Sequence, residues 1–540
     1  MKTTSLAVAL VCSSLCACAD RAAQDAPETL ATAEQAVVTQ CPFLDPADPA
    51  FYPGPPVDFA HEILITHVRV VDDPCRTTWT GSCAGGGTQG IWTFGELMRR
   101  MAGTGAPEVL VAEWLHQWEI NIVVNGFPVP ARPGIRPLLI DPWLIASGCA
   151  PGGPIVGPGA CLLDLKRAPF RLLAISNRVD LACAGYTGPG DGEARFVYGV
   201  LDGAGNPMRA AIIFEYKLPP LRFGLPYTAV NWEKDWHVLS TLTIGSTPYM
   251  NILQGILDDV TKVGALPGGP NLGTSIGQVR TNEIDFAGPP WKLREMRLAP
   301  GSGIPGGDLL LATTTAETPD DSMNLSPPLD GYLASNAPLL ATFNQKPLPN
   351  ALLGGETSAP LVAPIPFWDH SPASPLAPIE RHHFGFNTCN GCHTLEVNTP
   401  FLHVGTRLPF TPAPLSPFLS TPTATGGGGL PLAVLSVPDP AGSGAVFRYN
   451  EPWRRLCEAS RMLVGSPRCW SRANGAHCRK RRAPPQIGGG RPDSALRTSS
   501  SSARTIIVIS SANVTVGFQP SFSRARVASP CRWSTSVGRR

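Results

Sequence analysis

Short β-branched runs of alternating apolar and polar residues recur along the first 320 positions. Residues 63–71 (ILITHVRVV) are the clearest and predict a strand. The same pattern predicts strands over 120–124, 170–176, 195–201, 211–216, 294–298 and 309–314. Apolar residues recur at helical spacing over 93–101, 232–242 and 249–263, and helices are also predicted over 327–344 and 447–463. A strand-rich body interrupted by a few helices predicts an α+β fold. No internal repeat is visible.

Composition divides the chain into five stretches. Residues 1–18 have the form of an export leader: Lys2, a short apolar run from Leu6 to Cys12, then small residues. That run is far shorter than the ~20 residues that span a bilayer. Leu15-Cys16-Ala17-Cys18 has the spacing of a lipobox, which makes Cys18 the candidate lipidated residue; small-x-small cleavage at 17–19 is the alternative. Residues 19–58 are an Ala-rich tether and a Pro-rich lead-in. The α+β body is expected over 59–344. A loop-rich segment follows over 345–464, with 411–446 almost devoid of charge and expected to be a linker or long loop. Residues 465–540 are rich in Ser, Arg and Pro and read as a disordered basic tail, or as the product of a reading-frame slip. The net charge of +2 hides this division: from Arg461 onward there are fourteen Arg, one Lys and one Asp, leaving 28 bases against 40 acids before it. An acidic body argues against nucleic acid as a partner.

The 55 Gly and 58 Pro exceed ordinary usage and make long helical bundles unsuitable. Fifteen cysteines suit an oxidising compartment. Three of them, Cys12, Cys16 and Cys18, belong to the leader, and six, Cys41, Cys75, Cys83, Cys149, Cys161 and Cys183, lie in the N-terminal body and permit three disulfides. Cys75–Cys83 and Cys149–Cys161 each close a short Gly-rich loop, which would leave Cys41 for Cys183.

The most specific chemistry is Cys389-Asn390-Gly391-Cys392-His393, the Cys-x-x-Cys-His pattern of covalent haem attachment. Composition alone expects roughly 0.01 such matches. Two thiols three residues apart reach both vinyl groups of one macrocycle, and the following His turns its imidazole to the iron. The expected cofactor is therefore haem c, with Cys389 and Cys392 as attachment points and His393 as proximal ligand. His403 is the first candidate for the distal position, followed by His383 or His382 and then Met462. A zinc site completed by these histidines is an alternative, as is a Cys389–Cys392 disulfide in a surface-binding lipoprotein. A hydrolase hidden in the body is a third, although the sequence has no Gly-x-Ser-x-Gly elbow, phosphate loop or zincin motif.

Polar residues lie inside apolar strands: Asn177, Arg178 and Asp180; Glu193 and Arg195; Glu215 and Lys217; Arg280, Asn282, Glu283 and Asp285; Arg294, Glu295 and Arg297. They fit either a cleft of acids and guanidiniums or, more simply, outward residues of period-2 strands paired across a sheet. Segments PFRLLAISNRVDL (169–181), GEARFVYGVL (192–201), IIFEYKLP (212–219), QVRTNEIDF (278–286), WKLREMRL (291–298) and FNTCNGCHTLEVNTPFLHV (386–404) together resemble a family of large exported lipoproteins of myxobacterial type carrying a Cys-x-x-Cys-His motif. The resemblance covers residues 60–460 and departs from the family after 464. It implies that the Cys-His segment belongs with the upstream body as one unit, and it brings no activity or catalytic residue. The expectation is an envelope protein, lipid-anchored or secreted, that transfers single electrons or senses redox state with an envelope partner.

Overall fold

The computed structural model describes residues 57–83, 85–182, 192–300, 307–341, 345–359, 368–369, 376–421 and 434–464, all in one folding unit. Cys18, Cys41, Cys183 and the basic tail lie outside the described residues.

An eight-stranded antiparallel sheet organises the α+β fold. Seven strands lie side by side in chain order: β1 (Leu64–Ile65), β2 (Phe170–Arg178), β3 (Glu193–Leu201), β4 (Pro207–Lys217), β5 (Ile276–Glu283), β6 (Trp291–Pro300) and β7 (Asp308–Thr313). The eighth, β8 (Thr357–Ala359), pairs with Trp291–Leu293 of β6, and β7 takes the rest of that edge from Glu295 onward. Two helical excursions leave this meander. Between β1 and β2 the chain forms α1 (Phe94–Met101) and α2 (Pro107–Glu119); between β4 and β5 it forms α3 (Ala229–His237) and α4 (Thr247–Thr261). Thr93, Thr228 and Ser246 cap α1, α3 and α4 by accepting from backbone N–H groups of the first turn, and Pro107 opens α2.

Register places two unlike faces on this sheet. Phe196, Phe214 and Val279 are cross-strand partners in one row, with Ile175 and Met296 at its ends. They are fully buried in one large cluster with Phe94 and Leu97 of α1, Trp114 and Trp118 of α2, Trp232 and Trp236 of α3, and Leu253 and Leu257 of α4. Because side chains alternate across a strand, the neighbouring residues point the other way. There the row reads Ser176, Arg195, Glu215, Gln278, with Arg280 opposite Glu295. The pairing across strands is as expected, but this face is not solvated. Glu193, Glu215 and Glu295 are fully buried.

What buries it is the C-terminal segment: α5 (Pro327–Leu340), α6 (Pro378–Asn387), the one-turn α7 (Cys389–Cys392), a hairpin of β9 (Leu435–Pro438) and β10 (Val446–Tyr449), and α8 (Glu451–Leu463). Phe386, Val397, Val404, Phe418, Leu419 and Phe447 form one cluster with Leu64, Leu173, Ala174 and Val197 of the sheet. Residues on both sides of position 344 thus share a core.

Several elements differ from expectation. Residues 63–71 contain only a two-residue strand; the His67 ring accepts from the Arg69 N–H and starts a short helix, Val68–Val71. Helix α2 was hidden by its β-branched residues, although Leu110, Val111, Trp114, Leu115 and Trp118 have helical spacing and are all buried. Strand β5 is central yet polar, since one of its faces meets the charged row. The described residues of 411–446 are not a free linker: they include the turn Pro417–Ser420 and strand β9, and Ala413, Phe418, Leu419 and Val437 are buried. The predicted helix over 447–463 begins at Glu451, after the strand that ends at Tyr449.

Candidate functional site

The Cys-His motif is a single turn clamped on several sides. Thr388 caps α7 by accepting from the Gly391 N–H at 3.2 Å. The Trp368 indole donates to Thr388 Oγ1 at 2.9 Å and to Asn390 Oδ1 at 2.8 Å. Asn390 donates to the Ser358 carbonyl of β8 at 3.1 Å, and the Cys389 N–H donates to Thr318 Oγ1 at 2.9 Å. Gly391 is required, because a Cβ there would collide with the carbonyl of Gly385 at the end of α6. Arg381 of α6 donates to Glu396 and to Asp439, tying α6 to the turn after the motif and to the hairpin.

Cys389 and Cys392 are free thiols rather than a disulfide. Cys389 packs against Trp291, Leu293 and Phe401; Cys392 packs on the cluster containing Leu64 and Val197. Burial raises both thiols, Cys392 to about 12, so neither is an activated thiolate. His393 donates Nδ1–H to the Phe401 carbonyl at 2.5 Å. That bond fixes the tautomer and leaves Nε2 as a bare lone pair, the arrangement that prepares an imidazole for a metal. Phe401 holds its carbonyl there from the left-handed region (φ +71°), a conformation costing ~1–2 kcal/mol in a non-glycine residue. Its ring stacks on Trp291 at 4.4 Å, which offsets part of that cost. Burial pulls His393 down to about 4 and holds His403 well below its ordinary value, so both rings are neutral at neutral pH.

His403 stands beside His393, ring centroids 4.4 Å apart, with Nδ1 at 3.0 Å from Ser416 Oγ and Nε2 at 3.6 Å from Cys392 Sγ. Both imidazoles line a cavity of about 590 Å³, open mouth included, between the segment and the charged sheet face. Ser176, Arg178, Arg195 and Asn282 supply its sheet wall and Arg455 of α8 its side.

The structure brings Cys389, Cys392, His393 and His403 together. The other candidates do not join them. His382 is fully buried, its Nδ1 at 2.6 Å from Glu396 Oε2, its Nε2 against the Tyr449 hydroxyl and its ring stacked on Phe447. His383 engages the Leu340 carbonyl through Nδ1 at 2.6 Å. Met462 is buried in the large apolar cluster and does not line the cavity. Sequence reasoning missed Phe401, whose left-handed backbone no composition signals, and Arg455, which falls outside the strands where buried charge was noticed.

The donor set fits a c-type haem: two unbridged thiols on one turn, a following imidazole with Nε2 unengaged among the described residues, and an adjoining cavity. His403 does not fit as its partner across a macrocycle in this arrangement. Rings 4.4 Å apart are already near the ~3.5–4.0 Å contact distance of carbon atoms, so nothing lies between them. Among the described residues, no three or more His, Cys, Asp or Glu are grouped to hold a metal ion, which leaves the zinc alternative without support. Also among them, no helix is long and apolar enough to cross a membrane. Comparisons with family models, curated proteins and solved structures find no match.

Proposed function

We propose that the chain is an exported protein carrying one covalent haem c, used for one-electron transfer or redox sensing with a partner in the cell envelope. Cys389 and Cys392 hold the haem by thioether bonds and His393 is the proximal ligand. Lipidation at Cys18 is the proposed anchor. When bound, the haem supplies a one-electron couple whose potential depends on burial and axial ligation. The chain's own residues orient and shield it. Phe401 keeps the His393 lone pair aimed outward, Trp291 and Leu402 exclude water, and neighbouring guanidiniums bias the site toward negative charge. His403 serves as distal ligand only if its ring parts from His393.

The observation that carries this reading is the His393–Phe401 clamp on the same turn as two unbridged thiols. The reading in which Cys389 and Cys392 form a structural bridge lacks that support, since they are free. The test is a pyridine haemochrome spectrum and a denaturing-gel haem stain on protein exported with haem-maturation machinery. Covalent haem is expected in the parent chain and its loss in the Cys389→Ser/Cys392→Ser variant. Haem in neither sample sinks the proposal.

A further inference from the structure

Three arginines and no Asp or Glu line the cavity beside His393. They are not equally occupied. Arg195 is fully committed, its Nε and Nη2 to Glu193 and its Nη1 to Glu215. Arg178 spends Nε and Nη2 on Asp180 and leaves Nη1 without an acceptor among the described residues. Arg455 gives Nε to Glu451 at 2.8 Å, and both of its terminal nitrogens are unclaimed there. Between them in the wall lies Asn282, only 3% exposed, whose Oδ1 is buried without a partner. Buried amides and guanidiniums are ordinarily satisfied. Arg178 and Arg455, each with donors unclaimed among the described residues, line one cavity, and Leu64, Val197, Ile213 and Leu402 form its apolar walls.

We infer that Arg178 and Arg455 form a binding site for a carboxylate carried on an apolar body. Arginine suits this ligand because its planar fork matches two carboxylate oxygens, and a charge-assisted bond in a half-enclosed site is strong. The cavity wall brings no competing acid. Two sources share this chemistry: the carboxylate edge of the proposed haem, and a free amphiphilic acid bound beside His393. The site does not rest on the haem reading, since its unclaimed donors belong to the chain alone.

The test uses the full chain produced without haem maturation, titrated calorimetrically with octanoate and, as a neutral control, octanamide. Octanoate is expected to bind at least about tenfold more tightly than octanamide, and Arg455→Gln to remove that preference. If Arg455→Gln does not fold, Arg455→Lys, which keeps the charge and loses the planar fork, is expected to weaken octanoate about tenfold. In haem-loaded protein, loss of octanoate binding with a shifted haem reduction potential in Arg178→Gln assigns the site to the haem's own carboxylates. Retained binding assigns it to a separate acid. Octanoate bound no better than octanamide by the haem-free chain overturns the inference, whatever the haem assay gives.

Discussion

Glu233 is a carboxyl group with no exposed surface and one amide for company: Asn177 Nδ2 donates to it at 2.8 Å, and Oε1 has no partner. Burial, with Glu62 and Asp180 nearby, raises it well above the usual carboxylate range. The native state therefore keeps this proton at pH values where the unfolded chain has released it. Stability contributed by the group is full below about pH 4.5 and declines as pH rises toward the folded value. Glu215, pushed up to about 8 chiefly by burial, adds a decline of the same sign. Glu233→Gln, neutral at every pH, is expected to make the loss of Tm between pH 5 and pH 8 shallower and to gain about 1–3 kcal/mol at pH 8. An unchanged slope would remove Glu233 from the account. At this scale the sequence was legible where chemistry imposes spacing, as in Cys389, Cys392 and His393. It was opaque where the arrangement depends on a backbone angle, as at Phe401, or on donors left without an acceptor among the described residues, as at Arg455.

Among the elements, α6 shows how a segment poor in regular structure is held. Arg381 is 2% exposed and donates to both Glu396 and Asp439, which are themselves buried. Arg381→Met would leave two carboxylates enclosed without their cation, and breaking such a pair costs about 3–5 kcal/mol. The urea midpoint is expected to fall accordingly; a loss below 1 kcal/mol would show that the pairs are solvated in the native protein. Elements were readable from sequence when one face was apolar, as in β2, β3, α1 and α4. They were unreadable when both faces were occupied by something other than water. Strand β5 carries Gln278, Arg280 and Asn282 on a covered face, so its alternation does not separate core from solvent.

For the molecule as a whole, two disulfides are those expected from loop length, Cys75–Cys83 and Cys149–Cys161. They staple excursions on the α1–α2 side of the sheet, spanning 8 and 12 residues. Each is expected to contribute about 2–3 kcal/mol, so reductant should lower Tm measurably, and more than single Cys83→Ser or Cys161→Ser variants. A Tm indifferent to reductant would place both loops outside the cooperative unit. The α+β architecture was legible because its main strands carry runs of apolar residues at alternating positions. The seating of residues 345–464 on the sheet was not, because Pro-rich composition reports irregular backbone and says nothing about burial.

The charged sheet face sets a timetable for assembly. Cys389 and Cys392 end up enclosed between Trp291 on one side and Leu64 and Val197 on the other. Both thiols are only partly exposed in the folded chain, so an enzyme that modifies them would reach them most readily before residues 376–421 settle onto the sheet. During that wait the sheet would present paired guanidiniums and carboxylates over much of its open face, rather than a continuous oily surface. A chain held at that stage would expose a less continuous apolar surface than a sheet with two oily faces.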